Sequence, residues 1–272
     1  MILGFLVLTM AWLTITVPHN DRDWTEDQKR LAWADVRGSV VHLNNVRDFR
    51  YRSDEAGDWS PAWYAHTFDL NQLRRAYFFV DEFYEASSLA HTMVSFEFAE
   101  ATGPRFVVFS VEIRKEKGEQ YSPIKGLFRN YEIQYVIADE QDSVKLRSVT
   151  RGDKVYMYEI KRPVGQLRAF FMDMVKRLNA LKKQPEFYNT LWNNCTTNLV
   201  NHFETVSEHD LGFDYRILLP AYSANLAYEL GLLDRSLPYE TLRKKSLITR
   251  LARKHANDED FSLRIRHSLR TR

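Results

Sequence analysis

The 272-residue chain holds a single cysteine. That scarcity excludes an internal disulfide and every metal site that needs several thiolates. Neither an HExxH helix nor paired Cys/His spacing occurs, so no metal and no cofactor is expected. An excess of charge of one sign is also missing. Lys and Arg number 38 against 36 Asp and Glu, a net charge of +2, too balanced to argue for nucleic acid as a partner. Internal repeats and low-complexity tracts are absent. The chain is 44% hydrophobic and 14% aromatic, which supplies a real core and argues against extensive disorder.

The first seventeen residues, MILGFLVLTMAWLTITV, lack any charged side chain. As a helix they would span ~25 Å at ~1.5 Å per residue, slightly under the hydrocarbon thickness of a bilayer. No basic start and no small-x-small cleavage site accompany them. The segment reads as a membrane anchor, with a cleaved signal or a buried helix as alternatives. The following HNDRDWTEDQKR mixes both signs and leaves topology open.

Four segments are expected: 1–17, an anchor or signal; 18–40, a linker with a short helix around WTEDQKRLAWADV; 41–245, an α+β domain; and 246–272, a basic C-terminal tail. The late basic stretches, RKKSLITRLARKH and RIRHSLRTR, read as a solvated helix face and loose tail, or as contacts to anionic headgroups. The fold class is α+β, an antiparallel sheet packed against helices behind an N-terminal hydrophobic helix. VVHLNNVRDFRYR, WYAHTFDL, AYFFVDEF, YEIQYVIADE and KVYMYEIKR are strand candidates. Leu167, Phe170, Phe171, Met174, Leu178 and Leu181 recur at helical spacing.

The most informative strand pair is HTMVSFEF (91–98) and RFVVFSVEI (105–113), joined through Gly103 and Pro104. Thr92, Val94, Phe96 and Phe98 share one face, and Val107, Phe109, Val111 and Ile113 match them across a symmetric hairpin. The other face carries His91, Met93, Ser95 and Glu97 beside Phe106, Val108, Ser110 and Glu112. That register sets Glu112 opposite His91, with Ser110 a diagonal neighbour. Glu97 reads as a solvated strand-end charge.

The lone cysteine lies in YNTLWNNCTTN, before the helical run CTTNLVNHFETV, with Asn193 or Asn194 as N-cap. A helix start offers free N–H groups and a positive dipole end, which favour a thiolate and can hold an oxyanion. Asn193, Asn194 and Thr196 add polar donors. Cys195 therefore reads as a nucleophile, set against the common buried, inert cysteine. His91 is the first candidate for its base; His66 and His42 are remoter ones. His202 follows Cys195 by two helical turns, ~10 Å, too far for contact.

AHTMVSFEF, SVEIRKEKGEQYSPIKGLFRNYEIQYVIADEQD, YNTLWNNCTTN and RILLPAYSANLAYELGLLDRSLPYETLR, in that order, resemble the bacterial Lnb-type N-terminal periplasmic domain over roughly residues 40–245. The resemblance implies attachment to the inner membrane, a domain facing the periplasm, and a link to lipoprotein N-acylation. Membrane phospholipid would be the donor partner and a lipoprotein amine the acceptor. The His-before-Cys order is also similar to circularly permuted papain-like folds of the NlpC and lecithin:retinol acyltransferase (LRAT) type. On that analogy His91 and Cys195 are base and nucleophile, with Glu112 or Ser110 as third member. Arg129 and Tyr131, in GLFRNYE, are candidates for a phosphate headgroup. The rival readings are a thiol peptidase or amidase of the cell wall and a non-catalytic envelope-binding module. Relatives linked to acylation can carry further membrane spans, whereas this sequence offers one at most.

Overall fold

The computed structural model describes residues 16–51, 59–83, 89–207, 211–212 and 214–270. Most of the expected 1–17 anchor lies outside the described residues, among which no helix is long and apolar enough to cross a membrane. The described residues form ten strands: β1 (Trp33–Arg37), β2 (Val40–Arg47), β3 (Arg50–Tyr51), β4 (Trp59–Ser60), β5 (Trp63–Asp69), β6 (Leu73–Glu82), β7 (Ala90–Glu100), β8 (Gly103–Arg114), β9 (Glu132–Ala138) and β10 (Lys154–Glu159). Eight of them form one sheet in the order β1-β2-β9-β8-β7-β6-β10, with β5 paired to β2. The sheet is mixed rather than antiparallel throughout, because β2 meets β9 in parallel at Arg47 and Ala138. Strands joined by tight turns must run antiparallel. No such turn links β2 to β9, so turn chemistry does not set their relative direction.

The central hairpin has the expected parity and register. Met93 faces Ser110 and Phe96 faces Val107, and Gly103 closes the turn opposite Glu100 with φ +121. Its apolar face packs on α2 (Val164–Lys183), whose buried stripe matches the helical spacing of the sequence. Phe171 stands edge-on to Phe96, Phe98 and Phe109 with centroids at 5.0, 5.4 and 5.2 Å, an arrangement that favours the rings' quadrupoles. The shorter helix α3 (Cys195–Ser207) packs beside α2.

The reverse face of the sheet is covered too. After α1 (Glu140–Lys145), which runs on into a wide π-type turn at Leu146–Thr150, and after α4 (Tyr215–Leu218), α5 (Ser223–Glu229) and α6 (Tyr239–Ser246), the chain forms α7 (Thr249–Lys254), α8 (Phe261–Arg264) and α9 (His267–Arg270). Ile248, Ala252, Phe261 and Ile265 are buried against Tyr77, Phe79, Met93, Phe106 and Val108. The 246–272 segment, expected as a loose tail, is thus a second layer as far as Arg270. Arg266 is fully buried, pairs with Glu140, and lies 3.7 Å from the centroid of the Phe106 ring. Glu97, expected to be solvated, is buried under this layer and accepts bonds from Tyr77 Oη and Arg75. Polar groups that lose water must find partners, and Glu97 has found two.

The 18–40 stretch differs from expectation as well. Residues 26–28 form a turn and not a helix, and Trp33–Arg37 is an edge strand. The side chain of Asn179 on α2 donates to Ala34 O at 2.8 Å and accepts from Ala34 N at 2.9 Å. It thereby stands in for a missing strand neighbour, which explains why the aromatic and small residues here pair rather than coil.

Candidate active site

The site lies at the end of the sheet where β7 begins and β8 ends. Its nucleophile candidate opens α3. The turn before the helix is held by a reciprocal cap: Asn194 Oδ1 accepts from Thr197 N at 2.9 Å, and Thr197 Oγ1 accepts from Asn194 N at 2.8 Å. Asn194 Nδ2 donates to Thr190 O, Asn193 Nδ2 donates to Phe187 O, and Asn193 Oδ1 accepts from Asn198 Nδ2. Both asparagine amides therefore fix the turn instead of pointing donors at the sulfur, as the sequence had suggested. The cap takes the N–H of Thr197 and leaves those of Cys195 and Thr196 at the helix start, where intrahelical acceptors do not exist. Thr196 Oγ1 lies 3.8 Å from Cys195 Sγ and 3.2 Å from Thr92 Oγ1.

His91 stands beside the sulfur at the start of β7. Its Nε2 is 2.7 Å from Ser110 Oγ and 3.3 Å from Glu112 Oε1. Ser110 Oγ in turn donates to Glu112 Oε1 at 2.6 Å. A hydroxyl has one proton, so Ser110 must accept from His91 Nε2–H. The proton on Nε2 leaves Nδ1 to take the thiol proton. Of the two candidates for a third member, Ser110 bonds the imidazole, and Glu112 backs Ser110 while also facing the ring. Arg147, from the π-type turn, donates to Glu112 Oε1 at 2.6 Å.

The electrostatics follow from these contacts. Burial pushes the Cys195 thiol up, but the His91 charge, the His91 hydrogen bond and the Thr92 backbone N–H outweigh it, bringing the pKa from 9.0 to about 7. Burial works against the His91 imidazolium, yet the Glu112 carboxylate beside it raises the net value. Burial also opposes ionisation of Glu112, and there His91 and Arg147 win, holding it below the ordinary carboxylate range. These shifts favour a thiolate beside an imidazolium.

Two participants carried no recognisable signal in the sequence. Arg147 is buried and reaches both Glu112 and Asp81, its Nε lying 3.2 Å from Asp81 Oδ2. Asp81 pairs with His91 in the β6–β7 register and is fully buried. Neither of its carboxylate oxygens has a hydrogen-bond partner, and burial pushes its pKa up to about 6 despite Arg147.

Other candidates fall elsewhere. Tyr131 is fully buried, donates to Gln120 O at 2.7 Å and accepts from Ser122 N, so it is a core residue and not a headgroup contact. Arg129 is exposed, with its guanidinium 5.8 Å from the centroid of the Phe187 ring, and is absent from the cleft around Cys195. His202 bonds Asp173 and Tyr135, His66 bonds Glu100, and His42 bonds Thr67. Among the described residues no group of three or more His, Cys, Asp or Glu is placed to hold a metal ion.

Two cavities adjoin the pair. The cleft holding Cys195 and His91 is lined by charged groups, Asp27, Arg47, Glu112, Lys115, Arg147 and Arg151, and by apolar ones such as Phe83, Leu89, Val111 and Leu218. A second cavity, lined by Phe78, Val94, Leu167, Phe170, Leu199 and Phe203, is apolar almost throughout and reaches Thr196.

The model of the Lnb N-terminal periplasmic domain family matches residues 59–221. The chain belongs to that family. His91, Ser110, Glu112, Arg147 and Cys195 all fall inside the matched region. No curated protein and no solved structure matches the chain. The Lnb assignment makes this a periplasmic domain of the bacterial envelope, and strands β1–β3 and helices α5–α9 add to the Lnb region at either end.

Proposed function

We propose that this Lnb-family domain is a cysteine-dependent acyltransferase that takes a fatty acyl group from phospholipid and passes it to an amine. The observation that carries the reading is the buried Cys195–His91–Ser110–Glu112 series at a helix start. Cys195 Sγ attacks the ester carbonyl, and the N–H groups of Cys195 and Thr196 hold the oxyanion. One such donor is typically worth ~100- to ~1,000-fold in rate. The C–O bond then breaks, and His91 Nδ1–H protonates the departing lysolipid oxygen, leaving a thioester. An acceptor amine attacks that thioester, His91 takes its proton, and the thiolate leaves with an amide formed.

The apolar cavity at Thr196 supports an acyl chain over a peptide, and Lys115 and Arg151 of the cleft suit a phosphate. The domain then acts at the outer face of the inner membrane, with phospholipid as donor and a lipoprotein N-terminus as acceptor. Mass spectrometry of the protein incubated with phospholipid in detergent micelles tests this. An acyl adduct is expected on Cys195, lost in Cys195→Ser and depleted in His91→Ala. An unmodified Cys195 that still reacts with an alkylating agent overturns the proposal, and turnover of a muropeptide would assign the site to a peptidase.

A further inference from the structure

Two loops at the mouth of the Cys195 cleft expose large apolar side chains. Ile124 is 70% exposed and Trp192 is 68% exposed, and Tyr121, Phe128 and Leu191 are exposed beside them. Soluble domains rarely display such a group without a partner. The display is built rather than loose. Thr190 Oγ1 donates to Pro123 O at 2.7 Å, Thr190 N donates to Gly126 O, and a side chain at Gly126 would collide with Thr190. Tyr121, Pro123 and Thr190 also line the cleft, so the patch is continuous with the site.

We propose that this rim docks the domain on an anionic phospholipid surface, with Ile124 and Trp192 entering the interface. Three observations select a bilayer as the occupant. Aromatic rings with a polar edge concentrate at the level of headgroups, and Trp192 and Tyr121 are of that kind. Lys125 and Arg129 are exposed on the same loop, with the sign that anionic headgroups attract. The chain also arrives here from its uncharged first seventeen residues. His19 N donates to Glu132 Oε1, and Glu132 bridges to Phe187, four residues before Leu191. Any membrane attachment through residues 1–17 therefore pulls this end of the sheet toward the lipid. The inference deepens the lipid reading of the Cys195 site by giving its substrate a route that does not cross water.

Environment-sensitive NBD labels test it in the full chain. The lone native thiol is removed by Cys195→Ser, and a single label is placed at Ile124→Cys, Trp192→Cys or Thr102→Cys. Thr102 is exposed in the hairpin turn at the opposite end of the strands. With phosphatidylglycerol vesicles, the labels at 124 and 192 should shift to the blue, brighten several-fold and be quenched by brominated lipid, while the label at 102 stays aqueous. Vesicle-bound protein with all three labels aqueous overturns the proposal, as does failure to float with vesicles. A blue shift at 124 that needs no lipid also overturns it, since it would mark a protein contact. Acylation of Cys195 in detergent micelles is scored separately, so the docking surface and the chemistry fail independently.

Discussion

Replacing His91 by Gln should change the titration of Cys195 in a way that simple occlusion of the thiol cannot imitate. In the native site the thiol has a pKa of about 7 against an ordinary 9.0, a preference for the thiolate of about 3 kcal/mol at ~1.36 kcal/mol per tenfold change. Gln cannot carry the positive charge, and burial, the largest contribution at Cys195, is then no longer outweighed. The midpoint of alkylation should return to 9.0 or above. Near neutral pH the thiolate fraction falls from about one half to about 1%, roughly 50-fold. A more basic thiolate is intrinsically more nucleophilic, by ~6- to ~10-fold over that interval. The net expectation is iodoacetamide alkylation ~5- to ~8-fold slower in the variant near pH 7 and faster than native above about pH 10. The crossing of the two rate profiles is the diagnostic against occlusion, which would displace both limbs in one direction; unfolding would also restore an ordinary thiol pKa, so an unchanged circular dichroism spectrum and urea midpoint must accompany the crossing. A native midpoint near 9, or one that His91→Gln leaves unmoved, refutes the pairing.

Asp81→Asn should remove a pH dependence of stability with a definite sign. The folded pKa of Asp81 is about 6 against 3.8, so the folded state binds more protons between those values and native stability drops relative to the variant as pH rises through that window; urea titrations at several pH values read it, and a flat difference refutes it. Phe171→Ala should cost about 3–5 kcal/mol in denaturant midpoint, because three rings lose their common neighbour and a cavity remains. Arg266→Ala should cost about 3–5 kcal/mol in denaturant midpoint by leaving Glu140 buried and unpaired, whereas Arg266→Met should cost clearly less, because it keeps the volume packed on the Phe106 ring. Equal losses for both variants would show that the ion pair, not packing, holds the C-terminal layer.

The hairpin was legible because two short-range signals agree. Gly103-Pro104 fixes where the chain turns, and period-two alternation fixes which side chains share a face, so the approach of Glu112 and Ser110 to His91 follows from counting. Tyr131 shows a signal present but outvoted: Tyr131, just before β9, continues the alternation of Ile133, Tyr135 and Ile137 along it, and all are buried, which places Tyr131 inside whatever its neighbours in GLFRNYE suggest. The C-terminal layer was hidden for a different reason. Ile248, Ala252, Phe261 and Ile265 are sparse among basic residues, and the mean composition of the stretch reads as solvated. Amphipathic spacing at four and nine residues is weak evidence when each helix is short. The same layer explains Ser95 and Glu97. An alternating strand shows which side chains share a face, but not whether a second layer covers the polar one.

Arg147 and Asp81 could not be read at all, and charge balance shows why they are present. Thiolate, imidazolium, carboxylate and guanidinium alternate in sign along Cys195, His91, Glu112 and Arg147, so each buried charge has a neighbour of opposite sign. Without Arg147, Glu112 would have to neutralise itself by protonation, and the imidazolium would lose its support. Asp81 is the fifth group and the surplus negative charge. It touches the line only through Arg147 Nε, at 3.2 Å, and its oxygens find no hydrogen bond, so its carboxyl group alone is driven toward neutrality near physiological pH. The requirement is one of three-dimensional charge count rather than of motif. It draws Asp81 from β6, His91 from β7, Glu112 from β8, Arg147 from a helical turn and Cys195 from α3, positions that no local pattern connects.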